Sequence, residues 1–287
     1  MPLTKTTIPF SKTKVFSKLF LDYTRGQLKE FYLHEPNLEG IKNFTEKNKY
    51  ETLNRAVLVE ELKKQNSGLK TSEATQKNIE RVSDKNTYTI TTGHQLCLAT
   101  GPLYFIYKIL SVINLCEELN KTGDKKFVPV YWMASEDHDF EEINHVNLFN
   151  KKFTWATNQK GRVGEFSLEN IDAFLNELKD VLGENENAGK VLGLLKDAYS
   201  QKNLADATRF LVNELFGKYG LVILDGNNKT LKEQFITEIK KDIFTNFAFK
   251  QVSSSVENLK QKGYEAQVTP REINSFYADQ NLRERIV

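Results

Sequence analysis

Residues 87–134 decide the fold class, and they read TYTITTGHQLCLATGPLYFIYKILSVINLCEELNKTGDKKFVPVYWMA. The first six residues are β-branched or aromatic, Gly93 interrupts them, and residues 103–119 then stay apolar for about four helical turns. The run FVPVYWMA at 127–134 is typical of a parallel strand covered on both faces. A strand, a crossover helix and a second strand predict an α/β fold with a Rossmann-like parallel sheet.

The rest of the chain extends this unit. GLVILDG at 220–226 predicts a third buried strand. We expect four parts, in chain order: a helical N-terminal region over 1–86, the first half of the core over 87–149, an inserted connecting region over 150–205, and the second half of the core over 206–287, which we expect to be incomplete.

Local patterns predict further elements. Asp206 is expected to cap a helix over 207–217. We also predict short strands in FTWAT (153–157), GEFSL (164–168) and YEAQV (264–268), and helices over 229–245 and 252–262.

Composition excludes several classes of protein. The 287 residues carry a net charge of +2, which is too small to indicate a nucleic-acid binder. The two cysteines, Cys97 and Cys116, indicate buried apolar residues and a reducing cytoplasm. The first 16 residues lack the apolar run of a signal peptide. The uncharged stretch over 87–107 is broken by polar and helix-breaking residues, so we predict no membrane span.

A first group of candidate binding residues follows the first strand: Thr92, Gly93, His94, Gln95, Thr100, Gly101 and Pro102. Pro102 suits the first position of a helix, whose free N–H groups accept anions. A nucleotide phosphate is the obvious candidate ligand. Because neither Walker A nor GxGxxG spacing is present, an ordinary capped turn is an equally good interpretation.

A second group of polar residues follows the second strand and comprises Glu136, Asp137, His138, Asp139 and Asn144. Five carboxylates and no Lys or Arg lie between Phe127 and Asn150. The cluster could be a solvated face, could orient an amine substrate and act as acid and base, or could hold Mg²⁺. A metal is the weakest of these interpretations, since no metal-ligand spacing is matched, and none is predicted.

Several long segments resemble the cysteine-adding enzyme family of bacillithiol biosynthesis. The segments are TGHQLCLATGPLYFIYK at 92–108, VPVYWMASEDHDFEEINHV at 128–146, GLVILDGNNKTLK at 220–232, QVTPREINSFY at 267–277 and LRERIV at 282–287. The resemblance implies a cytoplasmic enzyme that joins L-cysteine to the amine of glucosaminyl malate. It also implies a core similar to class I aminoacyl-tRNA synthetases, with a connecting-peptide insertion.

Members of that family are about twice as long. Their later part, with a coiled coil associated with homodimers, has no counterpart in these residues. By the same likeness, Gly93-His94-Gln95 takes the place of the nucleotide-binding HIGH motif of the synthetases. That motif is absent here, as is a Lys-Met-Ser-Lys-Ser stretch. The resemblance also implies Gln in many relatives where this chain has His94, so bonding to a phosphate fits His94 better than proton transfer does.

These observations give one hypothesis and two rivals. The hypothesis is amide formation with a carboxyl activated by ATP or another nucleotide, with His94, Asp137 and His138 as candidate catalytic residues. Arg271 and Arg283 are candidates for binding the malate carboxylates. The rivals are a metal-dependent hydrolase or nucleotidyl-transfer enzyme that uses the acidic loop, and a nucleotide-binding module without turnover.

Overall fold

The computed structural model describes residues 4, 6–47, 54–279 and 282–286. Their contacts divide the chain into two compact units. The larger unit contains the described residues between 50 and 237 and between 276 and 285, and the smaller unit contains the others. The boundaries of these two units differ from those of the four parts predicted from the sequence. The four-part organisation stays a prediction.

A three-stranded parallel sheet organises the larger unit, as predicted. Its strands are β1 (Thr87–His94), β2 (Lys126–Met133) and β5 (Val222–Asp225), in the order β1-β2-β5. His94 lies opposite Met133, and Met133 lies opposite Asp225. All three strands therefore end at one edge of the sheet.

Each face of the sheet is covered by its own apolar cluster, because successive side chains of a strand point to opposite faces. Tyr131, Met133 and Ile223 pack in the larger cluster, which contains apolar residues of the crossover helix α6 (Tyr104–Leu119). The opposite face carries Val128, Val130, Val222 and Leu224, which pack with residues of the N-terminal helices.

The other elements of the larger unit surround this sheet. They are α4 (Arg55–Asn66), α5 (Glu73–Arg81), α7 (Phe140–Ile143), β3 (His145–Leu148), β4 (Lys151–Thr154), α8 (Ile171–Leu182), α9 (Glu186–Tyr199), α10 (Leu204–Phe216), α11 (Lys229–Glu233), β6 (Phe276–Asp279) and β7 (Leu282–Arg285), with 3₁₀ turns at Leu98–Thr100, Val163–Glu165 and Gly217–Tyr219. Strands β3 and β4 form one antiparallel hairpin, and β6 and β7 form another.

The smaller unit is helical. It contains α1 (Phe10–Thr13), α2 (Lys18–Thr24), a 3₁₀ turn at Lys29–Phe31, α3 (Leu38–Lys47), most of α12 (Ile236–Thr245) and α13 (Phe247–Gln261). Asp22 is buried there, and its carboxylate accepts a hydrogen bond from Tyr264 at 2.9 Å and pairs with Lys18 at 2.5 Å. These partners satisfy a charge that burial would otherwise penalise.

Four local predictions need correction. Asn203, not Asp206, caps α10, because its side chain accepts the N–H of Asp206 at 2.8 Å. The segment 164–168 contains the end of a 3₁₀ turn and no strand, and 264–268 contains no strand either. The single helix predicted over 229–245 is two helices, α11 and α12.

Within the described ranges, no helix is long and apolar enough to cross a membrane.

Candidate active site at the carboxyl ends of the parallel strands

Two loops lie side by side at the edge where the parallel strands end. The first loop, residues 95–103, follows β1, and the acidic loop, residues 134–144, follows β2. They meet because β1 and β2 are hydrogen-bonded neighbours in register to their last residues. In parallel α/β sheets, this edge is where ligands bind.

A glutamine joins the two loops. The side-chain amide of Gln95 donates to Oδ2 of Asp137 at 3.0 Å and to Oε2 of Glu142 at 2.7 Å. The backbone N–H of Ala134 donates to the carbonyl of His94 at 3.1 Å. The structure thus brings Gln95 and Asp137, two of the predicted site residues, into direct contact.

The first loop makes a left-handed reversal. Ala99, Thr100 and Gly101 have φ angles of 48°, 69° and 61°. A Cβ on Gly101 would lie 2.5 Å from Cβ of Cys97, so glycine is required there for space as well as for conformation. The N–H of Ala99 donates to the hydroxyl of buried Tyr199 at 2.7 Å, which ties the loop to α9.

Pro102 does not occupy the first helical position. Helix α6 begins at Tyr104, and the carbonyl of Pro102 accepts the N–H of Phe105 at 2.9 Å in a turn that precedes the helix. The left-handed reversal ends at Gly101, and the first helical residue lies two positions after Pro102. No side chain caps the start of α6, so its first N–H groups are not occupied by a cap.

A cation lies beside the predicted phosphate-binding residues. Thr92 is half-buried and Gly93 is exposed, both within β1. The ammonium of Lys108, which the sequence analysis did not select, donates to the carbonyl of Gly93 at 2.5 Å. Lys108 lies one helical turn after the first residue of α6. This spacing, which brings its side chain near the helix start, could have identified Lys108 from the sequence.

The proton of His94 can be assigned to one ring nitrogen. Nδ1 lies 3.0 Å from the carbonyl of Gln95, and because a carbonyl can only accept, Nδ1 carries the hydrogen. Burial lowers the pKa of His94 below its ordinary value, and Lys108 lowers it further. At neutral pH the ring is therefore uncharged, and Nε2 has a free lone pair.

The thiol of Cys97 lies close to His94, but burial raises its pKa rather than lowering it. Sγ of Cys97 lies 3.8 Å from Nδ1 of His94. Burial raises the pKa of Cys97 to about 11, so the thiol stays protonated at neutral pH. A protonated thiol is a poor nucleophile. Cys97 and the buried Cys116 therefore act as apolar residues, as the sequence indicated.

Asp137 is held as a carboxylate. Burial by itself raises its pKa, but hydrogen bonds from Gln95 and from the N–H groups of His138 and Asp139, together with the charge of Arg283, outweigh burial and leave the pKa below its ordinary value. Asp137 is therefore better suited to hold a positive charge than to accept a proton.

Hairpin β6–β7 brings an arginine to the acidic loop. Nη1 of Arg283 lies 2.9 Å from Nδ1 of His138, and its guanidinium stacks 3.8 Å from the ring centroid of Phe276. Since arginine only donates, Nδ1 of His138 accepts, and the proton of the neutral ring lies on Nε2. His138 is exposed, so this nitrogen can donate to a ligand.

The other predicted residues occupy more peripheral places. Glu136 pairs with Lys232, and Asp139 is exposed at the start of α7 without a capping hydrogen bond. Oδ1 of Asn144 lies 3.0 Å from Nδ1 of His145. Arg271 belongs to the smaller unit and is exposed.

Sequence reasoning missed a polar network at the end of β5. The hydroxyl of Ser135 donates to Oδ1 of Asp225, whose Oδ2 pairs with Arg209 at 3.2 Å. Arg209 also pairs with Asp206 at 2.7 Å. An acid that ends a buried strand was the signal for Asp225, whereas nothing in the sequence pointed to Arg209 as its partner.

The acidic loop is also braced from the connecting region. The N–H of Val163 donates to the carbonyl of Asp137 at 2.8 Å, and that of Gly164 donates to the carbonyl of Ser135 at 2.9 Å. A Cβ on Gly164 would lie 2.7 Å from both Cβ and the carbonyl oxygen of Ser135. Only glycine allows this approach, so it helps to fix the loop.

Among the described residues, no group of three or more His, Cys, Asp or Glu side chains is placed to hold a metal ion. The site instead combines an uncapped helix start and a lysine, which suit an anion, with a hydrogen-bonded carboxylate, which suits a cation. The neutral imidazole of His94 packs against Tyr104 and Phe105 at the start of α6, with ring centroids 5.4 and 5.0 Å apart. Such a site can hold a phosphorylated group and an amine side by side.

Comparison with known proteins gives a consistent result. Residues 3–287 match the family model described as bacillithiol biosynthesis BshC, N-terminal Rossmann-like domain. Proteins named "Putative cysteine ligase BshC" are 50% identical in Flavobacterium psychrophilum, over 98% of this chain and 54% of the relative, and 48% identical in Flavobacterium johnsoniae, over the same shares. One from Cytophaga hutchinsonii is 45% identical over 97% of this chain and 52% of the relative. The chain spans about half the length of these relatives.

Proposed function

Since this chain belongs to the BshC family of bacillithiol biosynthesis, we propose that it is the part of a cysteine ligase in which L-cysteine is joined to the amine of glucosaminyl malate. The observation that carries this proposal is the pair of hydrogen bonds from Gln95 to Asp137 and Glu142, which joins a loop suited to anions with a loop suited to an amine. A ligase needs both kinds of group within one site.

The chemistry divides into two steps. First, a carboxylate oxygen of cysteine attacks a phosphorus atom of a nucleotide, in our proposal ATP: an O–P bond forms, a phosphoanhydride P–O bond breaks, and ADP or pyrophosphate leaves. The amine gives up the extra proton of its ammonium form to solvent, and its nitrogen attacks the carbonyl carbon. A C–N bond forms, the C–O bond breaks, the leaving group departs with the electron pair, and the nitrogen loses a second proton. The residues of this chain bind and orient these groups and accept that proton.

The first loop and Lys108 are proposed to hold the phosphates. We propose that Thr92, Gly93 and Thr100, which precede the uncapped start of α6 in the chain, supply donors to them, with Gly101 allowing the reversal that leads into the helix. The ammonium of Lys108, already at the carbonyl of Gly93, supplies positive charge. Anions bind at helix N-termini for the same physical reason.

The acidic loop is proposed to hold the amine as an ammonium ion before reaction. Asp137 stays ionised, because its hydrogen bonds and Arg283 keep its pKa low. A carboxylate held in this way stabilises a cation well but is a weak base. Arg283 is proposed to bind a malate carboxylate, and His138 can donate from Nε2.

His94 is the better candidate for the base. Its ring is neutral at pH 7 because burial lowers its pKa, and its Nδ1–H is fixed on the carbonyl of Gln95. Nε2 is then free to accept the proton that the amine loses. This proposed role differs from the phosphate-bonding role predicted from the sequence, which stays a prediction, because the nitrogen that is not bonded to Gln95 is an acceptor.

The test uses a protein of the relatives' full length that carries this chain. We expect it to convert cysteine, glucosaminyl malate and ATP to a conjugate that mass spectrometry detects. Asp137→Asn should lower kcat/KM about 10- to 100-fold, since one charge-assisted contact is lost. Asp124→Asn, at an exposed position before β2, is the matched control and should be fully active. A folded protein that forms no conjugate with any nucleotide would disprove the proposal.

A further inference from the structure

One large aromatic side chain at the end of the sheet is exposed without an evident structural reason. Trp132 lies in the central strand β2, yet 42% of its surface is accessible. The other tryptophan, Trp155, is 1% exposed and donates from Nε1 to the carbonyl of Glu169 at 2.9 Å. An indole exposed at the carboxyl end of a central strand leaves an apolar surface available for a ligand to cover.

Glycines flank this indole on both neighbouring strands. Gly93 of β1 lies opposite Trp132, and Gly226 follows directly after β5. A Cβ on Gly226 would lie 2.4 Å from Cζ2 and 2.7 Å from Cε2 of the indole. The ring therefore rests on a position that only glycine can occupy, and neither glycine covers its exposed surface with a side chain.

The surroundings of Trp132 suit a nucleotide. Gly93 belongs to the proposed phosphate-binding group, and neighbouring strands lie about 4.8 Å apart. The ammonium of Lys108 is bound to the carbonyl of that same Gly93. A base stacked on the indole would thus lie within one nucleotide length of the proposed phosphate site.

The indole lies on the face of the sheet opposite to helix α6, which packs with Tyr131 and Met133, so a nucleotide bound to both the indole and the helix crosses the edge of the sheet at Gly93. Trp132 and Gly93 share one face, whereas His94, Met133 and Asp225 are in register on the other. Asp225 binds Ser135 and Lys232 of α11 pairs with Glu136, so the acidic loop is held from both faces of the sheet. Neither the proposed phosphate contacts nor the proposed amine contacts use the indole, which leaves it for the base.

From this arrangement we infer that Trp132 is the stacking platform for the base of the activating nucleotide. The inference rests on the proposed function and goes further, because it assigns a base-binding position that the phosphate and amine contacts do not require. Stacking on an aromatic side chain tolerates any base, so the platform explains affinity for nucleosides as a class.

Intrinsic fluorescence and calorimetry test it with the 287-residue chain. ATP and inorganic tripolyphosphate, which has no base, are the two probes. We expect ATP to change the emission of the wild type, and we expect no change in Trp132→Phe, in which Trp155 is the remaining tryptophan. Trp132→Ala should bind ATP about tenfold more weakly, the effect of losing one base stack, and tripolyphosphate as well as the wild type does.

Two further variants keep the test independent of folding defects. Gly226→Ala retains the indole but pushes a methyl group into it, and it should also weaken ATP binding. Tyr219→Ala removes an aromatic side chain of similar exposure, 46%, from the segment before β5 at the opposite end of the sheet, and ATP binding should not change.

The outcomes separate this inference from the proposed function. If ATP binds the wild type and both Trp132 variants equally, without a change in emission, the platform is wrong and nucleotide use stands. If ATP does not bind the wild type, nucleotide activation in this chain and the platform both fail. Weaker ATP binding by Trp132→Ala and Gly226→Ala, with tripolyphosphate binding retained, supports the platform.

Discussion

The side-chain amide of Gln95 donates to the carboxylate of Asp137 at 3.0 Å, although 42 residues separate them in the chain. The same amide donates to Glu142 at 2.7 Å. A neutral donor thus lies where two carboxylates approach each other, and it reduces their repulsion without neutralising them. The hydrogen bond from Gln95 contributes to the lowered pKa of Asp137, which therefore remains ionised.

Replacing that amide with an acid should disable the site. Gln95→Glu has nearly the same shape but places a third carboxylate beside Asp137 and Glu142. We expect kcat/KM to fall about 10- to 100-fold at neutral pH, with partial recovery at lower pH, because one of the three groups must then be protonated. Steady-state kinetics from pH 5 to 8 measures this effect.

The control is Gln76→Glu, the same change at an exposed position of α5, which should leave activity and its pH dependence unaltered. Undiminished activity in Gln95→Glu would show that the contact between the loops has no role in the reaction.

The pH dependence of the wild type should follow His94. Burial lowers its pKa below 6.5, so the base is lost only at a more acidic pH than for an ordinary histidine. We expect the acid limb of kcat/KM to have its midpoint below 6.5 and to change in His94→Gln. A midpoint above 6.5 would contradict the assigned base.

Stability should depend on pH with the matching sign. Between the folded pKa and 6.5, the unfolded chain binds more protons at His94 than the folded chain does, so stability rises with pH and falls as pH drops through that window. Denaturant unfolding of wild type and His94→Gln checks this: the wild type should lose stability in that window, and above it the difference between the two should no longer change with pH.

The effect of Arg283 should be measurable as a change in the pKa of Asp137. Its charge is one of the contributions that lower the pKa of that carboxyl, so Arg283→Gln should raise the pKa of Asp137 toward its ordinary value of 3.8. Arg283→Lys, which keeps the charge, should leave it lower. Carboxyl chemical shifts followed by NMR measure both.

The accompanying stability effect has a defined sign. A lowered folded pKa stabilises the protein above the unfolded value near 3.8, and that contribution disappears as pH falls through the folded pKa. The contribution should therefore be smaller in Arg283→Gln than in wild type. Identical Asp137 titrations in both proteins would mean that hairpin β6–β7 does not reach the acidic loop in solution.

Gly164 should tolerate no side chain. Gly164→Ala places a methyl group 2.7 Å from Ser135, so either the brace or the acidic loop must move. We expect a loss of stability of about 1–3 kcal/mol, the usual cost of overpacking. Thermal and denaturant unfolding measure it.

Gly189→Ala is the matched control, because Gly189 is an exposed residue inside α9 with nothing within 4 Å of its added Cβ. Alanine should stabilise that helix by about 0.5–1 kcal/mol. If Gly164→Ala is as stable as wild type, the brace is not tight in solution.

The sequence predicted the sheet because its strands carry strong local signals. The runs at 87–92, 127–133 and 221–224 are apolar or β-branched and bounded by turn residues, and all three form strands in one parallel sheet. YEAQV alternates over too few residues for such a signal, and it forms no strand. Asn203 and Asp206 are both capping residues, so the pattern could not choose between them.

The candidate site was predictable in its loops but not in its contacts. Strand ends identified the loops, since neighbouring parallel strands place them together. The partners depend on pairings across long stretches of chain: Ser135 with Asp225, Asp137 with Arg283, and Gly93 with Trp132. Periodicity within one segment contains no information on such pairs.

The hydrogen bond between Ala99 and Tyr199 has a consequence for the connecting region. It fastens the last residue of α9 to the strained reversal of the first loop, and burial raises the pKa of that phenol, so the bond persists across the physiological pH range. Because this bond couples the two elements, a ligand that stabilises the first loop also stabilises α9. Hydrogen exchange of the backbone amides in residues 186–199 should therefore slow when a ligand binds at the carboxyl ends of the strands.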